Sequence, residues 1–247
     1  GTLKAGKGFA RTLQMTGLEG RTDVQSYVAE SPFAYEENCL LYLPKNLQKC
    51  KRGSREEVEM VAGQIHSLIC STYGHTLVLF TSYTLMGSVY QILRDGIPFP
   101  MVEVWRHSQE EILRFKTMEN AVLFAAGSCW EGVDFPGDMV SSLIIVKLPF
   151  AVPDPISEAE KETYESLEDY IQSIIVLDMQ KKLRQGFGRA IRTETDTCVV
   201  SILDIRAVKG GKYHEDVMCA LPPCQMAEEL REVQDFIRSR KGVEYYL

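Results

Sequence analysis

The sequence predicts an α/β fold, a doubly wound and mostly parallel sheet with helices on both faces. Three observations carry this. Apolar runs of strand length, such as "TLVLFTS", "AVLFAA" and "TCVVSILD", lack polar alternation, the pattern of strands buried on both faces. Amphipathic stretches with helix-start signals lie between them. The 247 residues are 45% hydrophobic and 25% charged, ordinary for a globular chain and ample for a sizeable core.

The elements follow in order. The first 30 residues are Gly/Thr-rich with apolar spots at Phe9, Leu13, Met15 and Leu18, and read as a short helix and loops. "CLLYLP" is a first strand stopped by Pro44. In "SREEVEMVAGQIHSLICSTYG", Ser54 and Glu57 form a capping box. Val58, Val61, Ile65, Leu68 and Ile69 keep helical spacing, and Gly74 ends the helix. "TLVLFTS" is a strand, followed by a helix in "YTLMGSVYQILRDG" with Leu85, Val89, Ile92 and Leu93 on one side. "MVEVW" is a strand, and "SQEEILRFKT" a helix capped by Ser108 with Glu111. "AVLFAA" and "SSLIIVKLPF" are strands. A long helical region runs from about Ser157 to Arg192 with a break near Gly186. "TCVVSILD" is the last central strand and "QMAEELREVQDFIRSRK" a C-terminal helix.

Composition limits the function. A formal net charge of −7 gives no global attraction for nucleic acid, so phosphate contacts must come from local groups. The seven cysteines form no CxxC pair. Most of them, such as Cys70, Cys129 and Cys198, lie in apolar runs, and they read as reduced core thiols of an intracellular protein without a metal or iron–sulfur site. No segment has the ~18 apolar residues of a membrane span, and there is no signal-peptide pattern, so a soluble chain with no membrane partner is expected.

In a doubly wound sheet, ligands bind beyond the carboxyl ends of the strands. After "TLVLFTS" come Thr81, Ser82 and Tyr83, whose hydroxyls and free N–H groups suit either a phosphate or a plain helix cap. After "AVLFAA" comes "GSCWEGVDFPGD", a loop too dense in special residues to be mere connection. Gly127, Gly132 and Gly137 permit unusual backbone. Glu131 and Asp134 can accept a ribose hydroxyl or hold an arginine, and Trp130 is either core or a stacking surface. "LPFAVPDP" is a stiff exit from the sheet. In "KKLRQGFGRAIR", Gln185, Gly188, Arg189 and Arg192 fall at i, i+3, i+4 and i+7 and would share a helix face. Two guanidiniums there repel by roughly 0.2–0.5 kcal/mol, which a polyanion would reverse. A solvated basic turn at a helix end is the plainer alternative. Arginine forks match phosphate and stay charged, so two aimed at one site suit a γ-phosphate in transfer. A dinucleotide fingerprint is excluded, because "GFG" follows a helix and Ile191 stands where the third glycine belongs. No GxxxxGK[ST] phosphate loop occurs either; "GKGF" and "GGKY" both fail the pattern.

These motifs together resemble a known family. "QGFGRAIR" is similar to motif VI of superfamily-two helicases, of the form Q-x-x-G-R-x-x-R. "GSCWEGVDFPGD" resembles the W-E-G-V-D-x-P-G segment of the DinG branch of the DinG/XPD helicases, and "LVLFTSYTLM" resembles its motif IV. "KLPFAVPDP", "LDIR" and "ALPP" follow in the family's order. "ESPFAYEENCLLYLP" resembles the opening of the second motor domain, and Gly1-Thr2-Leu3 the tail of motif III. Departures are Cys129 for a usual Phe, Ala190 for Leu, Ile205 for Pro, and a loose "KYHEDVM".

The resemblance implies a RecA-like second motor domain over residues 31–247 without its own P-loop, preceded by an interdomain segment at 1–30. It implies an ATP-dependent DNA helicase moving 5′ to 3′, with this chain inactive as an ATPase alone. Arg189 and Arg192 would be arginine fingers, and Gln185 would contact the nucleotide or position them. Glu131, Gly132, Asp134 and Gly188 would lie at the nucleotide, Asp134 near the ribose. Thr81, Ser82, Tyr83, Ser128 and Trp130 would meet single-stranded DNA. ATP and Mg2+ would be held mainly by the first motor domain of the same polypeptide, which would also carry any iron–sulfur cluster. The implied location is the bacterial cytoplasm, at the nucleoid. A degenerate helicase-like binding or regulatory module, or part of a helicase–nuclease, are the alternatives.

Overall fold

Continuous apolar strands flanked by one-sided helices force a layered solution, because each sheet face must be covered. In a computed structural model describing residues 3–4, 8–29, 31–106, 109–130, 132–135 and 137–247, with the side chains of 128 and 156 left aside, that solution is a seven-stranded sheet. The strands are β1 (Cys39–Tyr42), β2 (Thr76–Phe80), β3 (Met101–Val104), β4 (Val122–Ala126), β5 (Ser142–Ile145), β6 (Cys198–Ile202) and β7 (Gln225–Ala227). They run in the order β3-β4-β2-β5-β6-β1-β7, and every pairing is parallel.

The helices are α1 (Ala10–Met15), α2 (Tyr35–Asn38), α3 (Arg55–Ser71), α4 (Tyr83–Leu93), α5 (Gln109–Phe115), α6 (Pro155–Lys161), α7 (Leu167–Tyr170), α8 (Val176–Phe187), α9 (His214–Ala220) and α10 (Leu230–Arg240). Strand side chains alternate between two cores. Leu77, Leu79, Leu123, Leu143 and Val200 meet Phe115 of α5, Met179 and Leu183 of α8 and Val217 of α9. Val78, Phe80, Phe124, Ile144 and Val199 meet Ile65 of α3, Val89 of α4 and Phe236 of α10. The doubly wound, RecA-like α/β architecture is therefore realised.

Several local expectations are corrected. Residues 225–227, expected to be helical, are the edge strand β7, paired with β1; the C-terminal helix starts at Leu230. The region from Ser157 to Arg192 is not one helix with a break at Gly186. It parts after α6, resumes at α7, passes through a π-helical turn at Ile171–Ile175 and ends at Phe187. On α4, Ile92 is exposed and Met86 takes its place in the core. Of the cysteines expected in the core, Cys39, Cys129 and Cys198 are buried, Cys50 and Cys224 are half-buried, and Cys70 and Cys219 are exposed. Ser54 Oγ caps α3 by accepting the Glu57 N–H, but Glu57 reaches the Gly53 N–H and Lys147 Nζ at 2.9 Å, so the box closes one residue early. The Ser108 cap lies outside the described residues, as does Gly1-Thr2. Near the N-terminus, α1 docks through buried Arg11, whose guanidinium pairs with Glu160 at 2.6 Å and Asp178 at 3.5 Å.

Candidate functional site

The carboxyl ends of β2 and β4 lie side by side, because these strands pair residue for residue up to Phe80 and Ala126. Ser82 caps α4 by accepting the Leu85 N–H at 3.4 Å, and Thr81 beside it is exposed. Tyr83 leans across to β4, where its hydroxyl donates to the Ala126 carbonyl at 3.3 Å. Gly127 makes that approach possible. Its φ is +64°, and a Cβ would stand 2.8 Å from the Tyr83 hydroxyl oxygen.

The loop after β4 begins with a 3-10 turn, Gly127–Trp130. Trp130 is 1% exposed, donates from Nε1 to the Phe80 carbonyl at 3.0 Å and packs on Gly186 of α8. Its ring offers no face to solvent in this conformation. Of the two readings of Trp130, the core reading describes its packing, and any effect on DNA must pass through the elements it joins. Gly132 is exposed with φ +75°, turning the chain so that Val133 and Asp134 face the end of α8.

Gly188 terminates α8, its N–H donating to Arg184 at 3.0 Å. The chain then turns, and buried Ala190 and Ile191 pull it into the core. Arg189 and Arg192 therefore do not extend a helical face, as their spacing had implied. They converge from a turn. Arg189 Nη1 donates to the Val133 carbonyl, and Arg192 Nη2 donates to the same oxygen at 3.3 Å. Arg192 Nε lies 3.0 Å from Asp134 Oδ1, a contact of charges rather than an aligned hydrogen bond. The Arg192 side chain remains 31% exposed, so the pair with Asp134 leaves it accessible. Gln185 is half-buried on α8, with no side-chain hydrogen bond among the described residues. Glu131 and the Ser128 side chain lie outside the described residues.

Asp196 had not been singled out in the sequence. It is 7% exposed and accepts the backbone N–H groups of Arg192 and Thr193, both at 2.8 Å, plus the Thr193 hydroxyl at 2.6 Å. This closes the turn that carries Arg192. Its only sequence signal is an aspartate a few residues beyond the arginine in "RTETD", a common turn-forming arrangement. Asp204, just past β6, is likewise buried. It accepts the Leu148 N–H at 2.9 Å and the Arg206 guanidinium at 2.7 Å. Burial pushes its carboxyl up, but the bonds and charge of Arg206 more than reverse this, holding it below the usual carboxylate value.

The turn that carries the arginines leads from α8 into the amino end of β6 rather than out of a strand's carboxyl end, and two convergent guanidiniums suit a phosphate group there too. Among the described residues no cluster of three or more His, Cys, Asp or Glu side chains is placed to hold a metal ion, and no helix is long and apolar enough to cross a membrane.

Comparison with known proteins gives consistent results. Residues 65–224 match the family described as Helicase C-terminal domain. The chain is 33% identical over 246 residues to the ATP-dependent DNA helicase YoaA of Haemophilus influenzae, covering 97% of this chain and 37% of that protein. It is 32% identical over 208 residues to the 3'-5' exonuclease DinG of Bacillus subtilis, covering 81% of this chain and 22% of that protein. The chain thus spans little more than a third of these relatives' length at most. A solved XPD helicase superposes with a TM-score of 0.58 at 20% identity, over 76% of this chain and 35% of that one, which speaks to the fold.

Proposed function

Because this chain belongs to the helicase C-terminal domain family of the DinG/XPD-type helicases, we propose that it is the second motor domain of an ATP-dependent DNA helicase. Residues 31–247 form that domain, and residues 1–30 lead into it from a first motor domain of the same polypeptide. The observation that carries the reading is the meeting of Arg189 and Arg192 on the Val133 carbonyl, in the loop between β4 and β5. Held this close, the two cations repel, and a triphosphate docked from the first domain would relieve that repulsion. Arg189 and Arg192 are the arginine fingers, with Gln185 and Gly188 lining the approach. Asp134 holds Arg192 until the ribose or phosphates compete for it, and Gly132 and Glu131 carry the change toward the DNA side. When bound, ATP with Mg2+ supplies the transferable phosphoryl group; this chain's part is to stabilise charge on it. Thr81, Ser82 and Tyr83, with Ser128 beside them, meet single-stranded DNA through hydroxyls and backbone N–H groups, which a net-acidic domain can do. Movement is 5′ to 3′, and the location is the bacterial cytoplasm at the nucleoid, a reading supported by the bacterial sources of both relatives. The name of the B. subtilis relative favours a second reading, in which the whole protein also carries an exonuclease domain.

The test is DNA-stimulated ATPase of the full-length protein. Arg189→Ala and Arg192→Ala should each lower kcat by roughly 10³–10⁵. Turnover near wild type in both would refute the finger assignment.

A further inference from the structure

The geometry points to Trp105 as a base-stacking residue for single-stranded DNA, with Arg106 beside it for a neighbouring phosphate; this extends the DNA role proposed above. Trp105 directly follows β3, at the same carboxyl edge as Tyr83. Its indole lies flat on the Tyr83 ring, with centroids 5.6 Å apart and planes 16° from parallel. Gly87, one turn along α4, leaves room for the indole edge. A Cβ there would approach Trp105 Cη2 and Cζ2 at 3.4 Å. The ring is thus fixed from below by Tyr83 and from the side by α4, yet 46% of the residue is exposed. A large aromatic held in one orientation with surface left open is a preformed stacking platform, because its ordering entropy is lost before any base arrives.

Charge favours the same occupant. The Arg106 guanidinium stands 5.6 Å from the Tyr83 ring centroid, is exposed, and has no carboxylate partner among the described residues. In a chain of net charge −7, an uncompensated cation beside an open aromatic fits an unpaired base with its phosphate. Exposed Thr81 follows β2, two strands along the same carboxyl edge. Trp130 is sealed in the core, so Trp105 is the tryptophan available for stacking.

The experiment titrates the 247-residue chain with oligo-dT and with an equal-length oligonucleotide of abasic sites. The chain has two tryptophans, so quenching by oligo-dT reports Trp105 against a shielded Trp130. Trp105→Ala should weaken oligo-dT binding by about tenfold or more and leave abasic binding unchanged. Trp105→Phe, which keeps a ring on Tyr83, should restore most of the difference. Arg106→Gln should weaken both ligands and reduce the salt slope by about 0.7. If oligo-dT binds with no quenching, and Trp105→Ala keeps the wild-type preference for dT over abasic sites, the stacking role is wrong and the DNA reading above survives. If neither oligonucleotide binds the wild-type chain, both fall together.

Discussion

Gly186 and Trp130 show how single residues join two motifs distant in the chain. A Cβ on Gly186 would stand 2.7 Å from Trp130 Cζ3 and 2.8 Å from Cε3, and the indole is tethered through Nε1 to the Phe80 carbonyl. Two effects compete in Gly186→Ala. Helix propensity favours alanine by about 1 kcal/mol, while overpacking a filled core costs about 1–3 kcal/mol. Because the tethered ring cannot step aside, overpacking should win, and urea unfolding should show a lower midpoint. An unchanged or higher midpoint would mean that the indole yields. In the sequence, Gly186 reads as a helix break, since glycine weakens helices; no local signal announces the ring against which it packs. The pairing of Arg189 and Arg192 was legible in the sequence, but their placement on a turn was not. That depends on Ala190 and Ile191 being drawn inward and on Asp196 holding the N–H groups of Arg192 and Thr193.

The elements differ in how openly the sequence declares them. Strands β2, β4, β5 and β6 are buried along their whole length, and only continuous apolar runs satisfy that environment. Strand β7 is short, at the sheet edge, with Gln225 and Met226 exposed, so neither burial nor alternation marks it, and its residues blend into the helical pattern that follows. The end of β6 carries a testable linkage. Asp204 has its carboxyl held below the reference value of 3.8 because Arg206 and two backbone N–H groups outweigh the cost of burial. A carboxylate depressed on folding stabilises fully above its unfolded pKa, and that contribution is lost as pH falls through the lower folded value. Wild type should therefore lose stability below about pH 4. Asp204→Asn should cost about 1–3 kcal/mol at neutral pH and flatten this part of the acid limb. An acid limb unaltered by Asp204→Asn would assign the linkage to other carboxylates.

At the scale of the whole molecule, the doubly wound sheet groups its candidate residues around the loop that follows β4. The ends of β2, β3 and β4 carry hydroxyls, an aromatic pair and the Val133–Asp134 loop, and the turn after α8 brings two arginines to that loop. The sequence holds no phosphate loop, so the proposed function needs a nucleotide held by another domain. In the proposed function, Arg189 and Arg192 stabilise charge that appears only as the phosphoryl group transfers. The most direct measurement compares, in the full-length protein, the affinity for ATP with that for ADP plus a fluoride mimic of the transferring phosphoryl group. Arg189→Ala and Arg192→Ala should leave ATP affinity within a few-fold of wild type and weaken the mimic by about 10² or more. Equal loss for both ligands, or loss for neither, would contradict it.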